Sequence, residues 1–184
     1  MVTLAPRRSF TATEYHQMGE AGIFWGAGRT ELIIGEIVEM SAVGALHVNC
    51  VIALERVLHE LVDRDVEVSI QNPVLLRFDT EPEPDAVLLP ANRDRQSIPK
   101  AEDVLLLMEV SDSLLAYDRG TKLPLYAAAG IAEAWIVDVT GKTIERHTEP
   151  RDGHYDRVVR VGPGGKLAST TMPTITIDVD TILA

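Results

Sequence analysis

With 184 residues, 46% of them hydrophobic and 24% charged, the chain has the size and composition of one globular domain spanning 1–184 and is too apolar for a disordered one. A formal net charge of -11 excludes a protein that coats nucleic acid non-specifically, because such binding rests on counterion release by many Lys and Arg. No apolar run is long enough to cross a bilayer, and Arg7-Arg8 is not followed by an apolar stretch. Together with a lone cysteine, Cys50, that points to a reduced, cytoplasmic protein without a secretory leader.

In chain order, "SFTATEYHQM" reads as a short helix with a Ser or Thr cap and Glu14 in its first turn. "ELIIGEIVEMS" is predicted as a hairpin around Gly35-Glu36. "GALHVNCVIALERVLHELVDRD" places Leu46, Cys50, Ile52 or Ala53, Val57 and Leu61 at spacings of three and four, the mark of an amphipathic helix and the longest in the chain. "VEVSI" and "PVLLRF" are strand candidates on either side of a Gln71-Asn72-Pro73 break, "DTEPEPD" is an acidic loop, and "DAVLLP" is a further strand. "VLLLMEV" is dense enough in apolar residues for a central strand, "AYDRGTKLPLYAAAG" reads as a helix stopped at Gly130, and "EAWIVDV" returns to strand. "KTIERHT" and "YDRVVRVGPGGKLAS" supply an edge meander, with His147 and His154 expected to be exposed beside a turn. The order helix, strands, helix, strand predicts a mixed α/β (α+β) sheet flanked by helices.

Glu109 sits inside the most apolar strand, and an ionised carboxylate removed from water costs several kcal/mol, on the order of 5, unless compensated. If "DAVLL" and "VLLLMEV" are antiparallel neighbours, Asp85 at the start of one meets Glu109 near the end of the other. Two adjacent carboxylates repel unless a proton or a cation lies between them, so Asp85 and Glu109 are candidate ligands of a divalent metal. Lys122, early in the following helix, points back to the same sheet end, where a lysine can stabilise charge developing on a phosphoryl oxygen. Asp118 and Tyr126, four residues either side of it, share its helix face and are expected to steady it.

Four stretches, "ELIIGEIVEMS", "LHVNCVIALERVL", "PDAVLLP" and "LLLMEVSDSLLAYDRGTKLPLYAAAGIAEAWIVD", resemble the restriction-endonuclease family common in cyanobacteria and other bacteria, a branch of the PD-(D/E)XK nuclease superfamily. The resemblance covers most of the chain, from Thr11 to His154. It implies a restriction endonuclease-like core over 31–140 and Mg²⁺- or Mn²⁺-dependent endonuclease cleavage of DNA phosphodiester bonds. Pro84-Asp85 stands for the PD element and Glu109 for the second acidic position. Ser111 occupies the place of the usual lysine, whose role the resemblance moves to Lys122, and Glu31 matches a further acidic position of the family.

The same residues fit two other activities, a catalytically silent interaction module on a nuclease fold and a metal-dependent hydrolase of small phosphoesters. Breaking both strands of a duplex takes two sites, so a homodimer is expected, with the meander from Thr143 to Ser169 as its interface. Arg93, Arg95 and Lys100 form a charged loop that could touch a phosphate backbone, although such loops are more often solvated. His47 and Cys50, three apart, lack a second Cys/His pair nearby and read as a helix-start histidine and a core cysteine. Trp135 reads as core.

Overall fold

Helix α1 (Ala12–Glu20) starts where the sequence signals it, in a computed structural model that describes residues 7–183. Thr11 Oγ1 accepts from the Glu14 amide at 3.2 Å and Glu14 Oε2 accepts from the Thr11 amide at 3.0 Å, a reciprocal cap. The leader expectation falls partly on residues 1–6, outside the described residues. No helix of the described residues is long and apolar enough to cross a membrane.

Strands β1 (Thr30–Ile33) and β2 (Glu36–Glu39) form the expected hairpin, with its turn one residue earlier, at Ile34-Gly35. Both turn residues have positive φ, 51° and 73°, which is the backbone twist a two-residue hairpin needs. Helix α2 (Ala45–Leu61) buries Cys50, Val51, Leu54 and Leu58 along one stripe. Strands β3 (Val66–Ile70), β4 (Ala86–Pro90), β5 (Leu106–Ser111), β6 (Glu133–Asp138), β7 (Thr143–Arg151) and β8 (His154–Val161) make one six-stranded sheet in chain order. Every neighbouring pair is antiparallel except β5 and β6. A parallel pair needs a crossover, and this one is helical: α3 (Leu115–Tyr117), a π turn over Asp118–Lys122, and α4 (Leu123–Ala128). The short strands β9 (Lys166–Ala168) and β10 (Thr176–Asp178) pair with each other before α5 (Val179–Leu183). The result is the predicted mixed α/β sheet with helices on both faces.

Strand alternation divides the core into two layers. Ala86, Leu88, Leu106, Met108, Val110 and the fully buried Trp135 face α2 and α5. Val87, Leu89, Leu107 and Ile136 face α4, packing on Leu123 and Tyr126. Glu109 and Ser111 follow Leu107 at two-residue steps, so they point to the α4 side as well.

Two segments differ from the sequence expectation. Pro73–Phe78 forms no strand: Pro73 has no amide to donate, and the chain folds back on itself through paired bonds between Arg77 and Thr80. His147 is buried, because β7 runs on to Arg151 and the hairpin turns at Asp152-Gly153, both with positive φ. His154 is exposed, as expected.

The β1–β2 hairpin lies outside the large sheet and is docked by backbone bonds: Gly35 N–H to Asp79 O at 2.7 Å, Glu81 N–H to Leu32 O at 2.7 Å and Leu32 N–H to Glu81 O at 3.3 Å. A methyl group on Gly35 would lie 2.5 Å from Ser9 Cβ on a backbone already at φ 73°. Gly35→Ala is therefore expected to destabilise the fold by about 1–3 kcal/mol, read as a lower urea midpoint with unchanged slope.

Candidate active site

The sheet end at β4 and β5 gathers the polar groups. Asp85 precedes β4 and is buried, and its carboxylate bridges three elements. Oδ2 accepts from the Val110 amide of β5 at 2.8 Å, while Oδ1 meets His47 Nε2 of α2 at 3.0 Å and accepts from Gln71 Nε2 at 3.1 Å. Gln71 grips Asp85 twice, since its amide also donates to the Asp85 carbonyl at 3.1 Å, and does so from a left-handed backbone at φ 52°. Burial alone would raise the Asp85 carboxyl, but the His47 hydrogen bond and charge, the Val110 amide and Gln71 together hold it below its ordinary value. His47 is correspondingly raised, chiefly by its hydrogen bond to Asp85.

Glu109 is 3% exposed and looks across the helical layer. Tyr126 donates to its Oε1 in a short hydrogen bond, and Lys122 Nζ lies 3.2 Å from the same oxygen. Lys122 Nζ also donates to Glu31 Oε1 at 2.8 Å, and that oxygen accepts the Glu83 amide at 2.8 Å as well. Burial works against the Lys122 ammonium, yet Glu109 and Glu31 hold it well above its ordinary value, so it is charged at any neutral pH. Glu109 is pushed up to about 8, first by burial and then by Asp85, Asp118 and Glu31, against the favourable charge of Lys122. Asp118, raised mainly by burial, accepts from the Ser111 hydroxyl at 2.6 Å.

Asp118 and Lys122 lie in the π turn, closed by an i→i+5 bond from the Leu123 amide to the Asp118 carbonyl. In an α-helix, at roughly 100° per residue, position i+5 lies about 140° away from position i. The wider turn brings Tyr117 and Lys122 back toward one face, and both line the cleft. Arg119 of the same turn pairs with the buried Glu145 of β7, which also receives Arg160 and His147. Burial opposes ionisation of Glu145, but His147, Arg119 and Arg160 bring it down to about 2, so the turn is pinned to β7 by a charge that persists at neutral pH.

The structure thus places Asp85, Glu109, Lys122, Glu31, Ser111, Asp118 and Tyr126 at one sheet end, but with different partners from those expected. Lys122 is braced by Glu31 and not by hydrogen bonds from its helix neighbours; Tyr126 serves Glu109, and Asp118 serves Ser111. His47 and Gln71, read from the sequence as a helix-start residue and a strand break, hold Asp85. Arg93 and Arg95 both pair with Glu67, outside the cleft.

The cleft over these residues has a volume of about 180 Å³ and is open to solvent. Glu39, Glu83 and Asp112 on its walls add to Glu31, Asp85, Glu109 and Asp118, against the cations Lys122 and Arg29, and Arg29 is itself bound to Glu83. Such an excess of carboxylate oxygens suits a hard divalent cation. Among the described residues no three His, Cys, Asp or Glu side chains are grouped to chelate a metal unaided. Asp85 uses three of about four acceptor positions, and Glu109 Oε1 alone takes Tyr126 and Lys122, so each carboxylate retains an acceptor site. Two carboxylates completed by water fit Mg²⁺, which dehydrates reluctantly.

Residues 12–180 match the Uma2 family model, described as "Putative restriction endonuclease". Among solved structures, a protein described as "a putative nuclease belonging to DUF820" from Anabaena variabilis ATCC 29413 is similar in fold, with a TM-score of 0.65 at 11% identity over 84% of this chain and 89% of that one. No curated protein matches the chain.

The Glu109 carboxyl carries a pH signature. Its ordinary value is 4.5 and its folded value about 8, so between them the folded state holds the extra proton and stability falls as pH rises through that window. Glu109→Gln should abolish the fall. In a chelator, the variant is expected to gain on the order of a few kcal/mol over wild type at pH 8 and little at pH 5, read from melts across that range.

Proposed function

The chain belongs to the Uma2 restriction-endonuclease family, and on that basis we propose that it is a Mg²⁺- or Mn²⁺-dependent endonuclease that hydrolyses phosphodiester bonds of DNA. The observation that carries this reading is the meeting of Asp85 and Glu109 from antiparallel strands with Lys122, whose Nζ lies 3.2 Å from Glu109. Asp85 and Glu109 would hold the cation and Glu31 would brace the lysine.

A divalent cation bound there supplies a polarised phosphoryl oxygen and an acidified water. His47, Gln71 and the Val110 amide keep Asp85 ionised and fixed in orientation, so it is ready as a ligand without rearrangement. Tyr126 fixes the Glu109 carboxyl on the opposite side. Lys122 has three N–H donors, gives one to Glu31 and pairs its charge with Glu109 at 3.2 Å, which leaves a third donor for a non-bridging phosphate oxygen as negative charge builds on it. Because Lys122 is buried and clamped, it is aimed before substrate arrives.

Asp85→Ala is expected to abolish both Mn²⁺ binding by isothermal titration and plasmid cleavage. Lys122→Ala should keep metal binding and lower cleavage by roughly 10²–10³. Cleavage that survives in Asp85→Ala overturns the assignment. Breaking both strands suits a homodimer, and β8, one of the two edge strands of the sheet, belongs to the segment proposed as its interface. Light scattering is expected to give twice the chain mass, and a monomer would remove that part of the proposal.

A further inference from the structure

Among the described residues four side-chain polar atoms are buried with no hydrogen-bond partner, those of Glu81, Arg93, Tyr117 and Arg146. Only Tyr117 lines the cleft. Its ring is half-buried, yet its hydroxyl is sealed from solvent and donates to nothing, although the carboxylates of Glu31, Glu109 and Asp118 are close enough to perturb it. Burial, then Glu31, push the phenol above its ordinary value, so it carries its proton at neutral pH. An unpaired buried hydroxyl lowers stability, whereas a phenylalanine would occupy the same space without that cost. Buried polar groups in folded proteins find partners almost without exception, and those that do not invite a functional account.

We infer that Tyr117 is a substrate-binding residue whose hydroxyl, covered in the free protein, becomes accessible as a strand enters the cleft and donates there to a non-bridging phosphate oxygen, next to the unspent donor of Lys122. The inference rests on the nuclease reading above and adds a contact to it. The local backbone supports the pairing. Tyr117 ends α3 and Lys122 ends the π turn, and the i→i+5 closure sets these two residues on one face, where regular α geometry would separate them. One phosphate could then receive a neutral donor from Tyr117 and a charged one from Lys122. Glu31 and Asp118 cannot supply that contact, because ionised carboxylates only accept.

Tyr117→Phe removes the hydroxyl and nothing else. Cleavage of a short DNA duplex with Mg²⁺ is compared between wild type and Tyr117→Phe. Binding of the same duplex, labelled with fluorescein, is compared between Glu109→Gln and Glu109→Gln/Tyr117→Phe, where hydrolysis is blocked. The expected result is a loss of roughly 10- to 100-fold in both kcat/KM and affinity, the range for a hydrogen bond to a charged group. The melting temperature of Tyr117→Phe should equal or exceed that of wild type, which a structural hydroxyl would not allow. Unchanged cleavage and binding overturn the inference and leave the nuclease reading standing. A lowered melting temperature overturns it too, since the hydroxyl then has a partner within the protein. If Glu109→Gln abolishes binding, the kcat/KM comparison decides. A wild type that neither binds nor cleaves DNA removes the nuclease reading, and the Tyr117 contact falls with it.

Discussion

One buried ammonium shared between two buried carboxylates governs this molecule. Lys122 lies 2.8 Å from Glu31 and 3.2 Å from Glu109, and all three side chains are 5% exposed or less. A paired buried charge near break-even becomes costly as soon as charges and countercharges fail to match. Here they fail by design of the site: Asp85 and Asp118 add two more buried carboxylates, of which Asp85 is paired with His47. Burial first, and then the neighbouring carboxylates, push the Glu109 carboxyl up to about 8 even with an ammonium beside it. A fold selected for stability alone would replace such a cluster with apolar side chains of similar volume. Retaining it is the pattern of a site whose missing charge arrives with a ligand.

The surrounding architecture is organised around holding that mismatch still. The β1–β2 hairpin contributes Glu31 from outside the sheet, and its attachment depends on backbone bonds to residues 79 and 81. Strand alternation turns Glu109 and Ser111 toward the helical layer, while the Val110 amide between them is free to bind Asp85. The π turn widens the crossover helix where Asp118 and Lys122 enter, and the Arg119–Glu145 pair ties that wider turn to β7. Each device is local, but all of them converge on one sheet end, which explains why a chain with ordinary core packing carries so many buried acids there.

Much of this was legible in the sequence, for reasons that can be named. The apolar density of "VLLLMEV" marks a strand covered on both faces, so Glu109 had to be an exception requiring compensation. The sequence brings Asp85 to Glu109 only if their strands run antiparallel, and β4 and β5 do. What stayed hidden depends on geometry that spacing does not encode. Assigning Asp118 and Tyr126 to Lys122 assumed α-helical i,i+4 neighbours, and a π turn breaks that assumption at the first of them. His47 reaches Asp85 across 38 residues of sequence, and Gln71 does so from a left-handed backbone that only the end of β3 imposes. His147 looked exposed because the β7–β8 turn was placed too early.

The net charge of -11 first weighs against a polyanionic substrate, yet the site makes the opposition local and conditional. With the carboxylates unneutralised, an incoming phosphate meets repulsion from several directions and attraction from Lys122 and Arg29, both already paired. Were a divalent cation held by Asp85 and Glu109, as proposed, the same oxygens would serve as its ligands, and the third donor of Lys122 would no longer compete with an excess of negative charge. Binding of cation and of phosphate would each remove the repulsion that opposes the other, and such coupling is reciprocal by thermodynamic necessity. On the proposed reading, such a protein would need no basic surface to track DNA at a distance; its affinity for the phosphate would be switched on at the site by the cation.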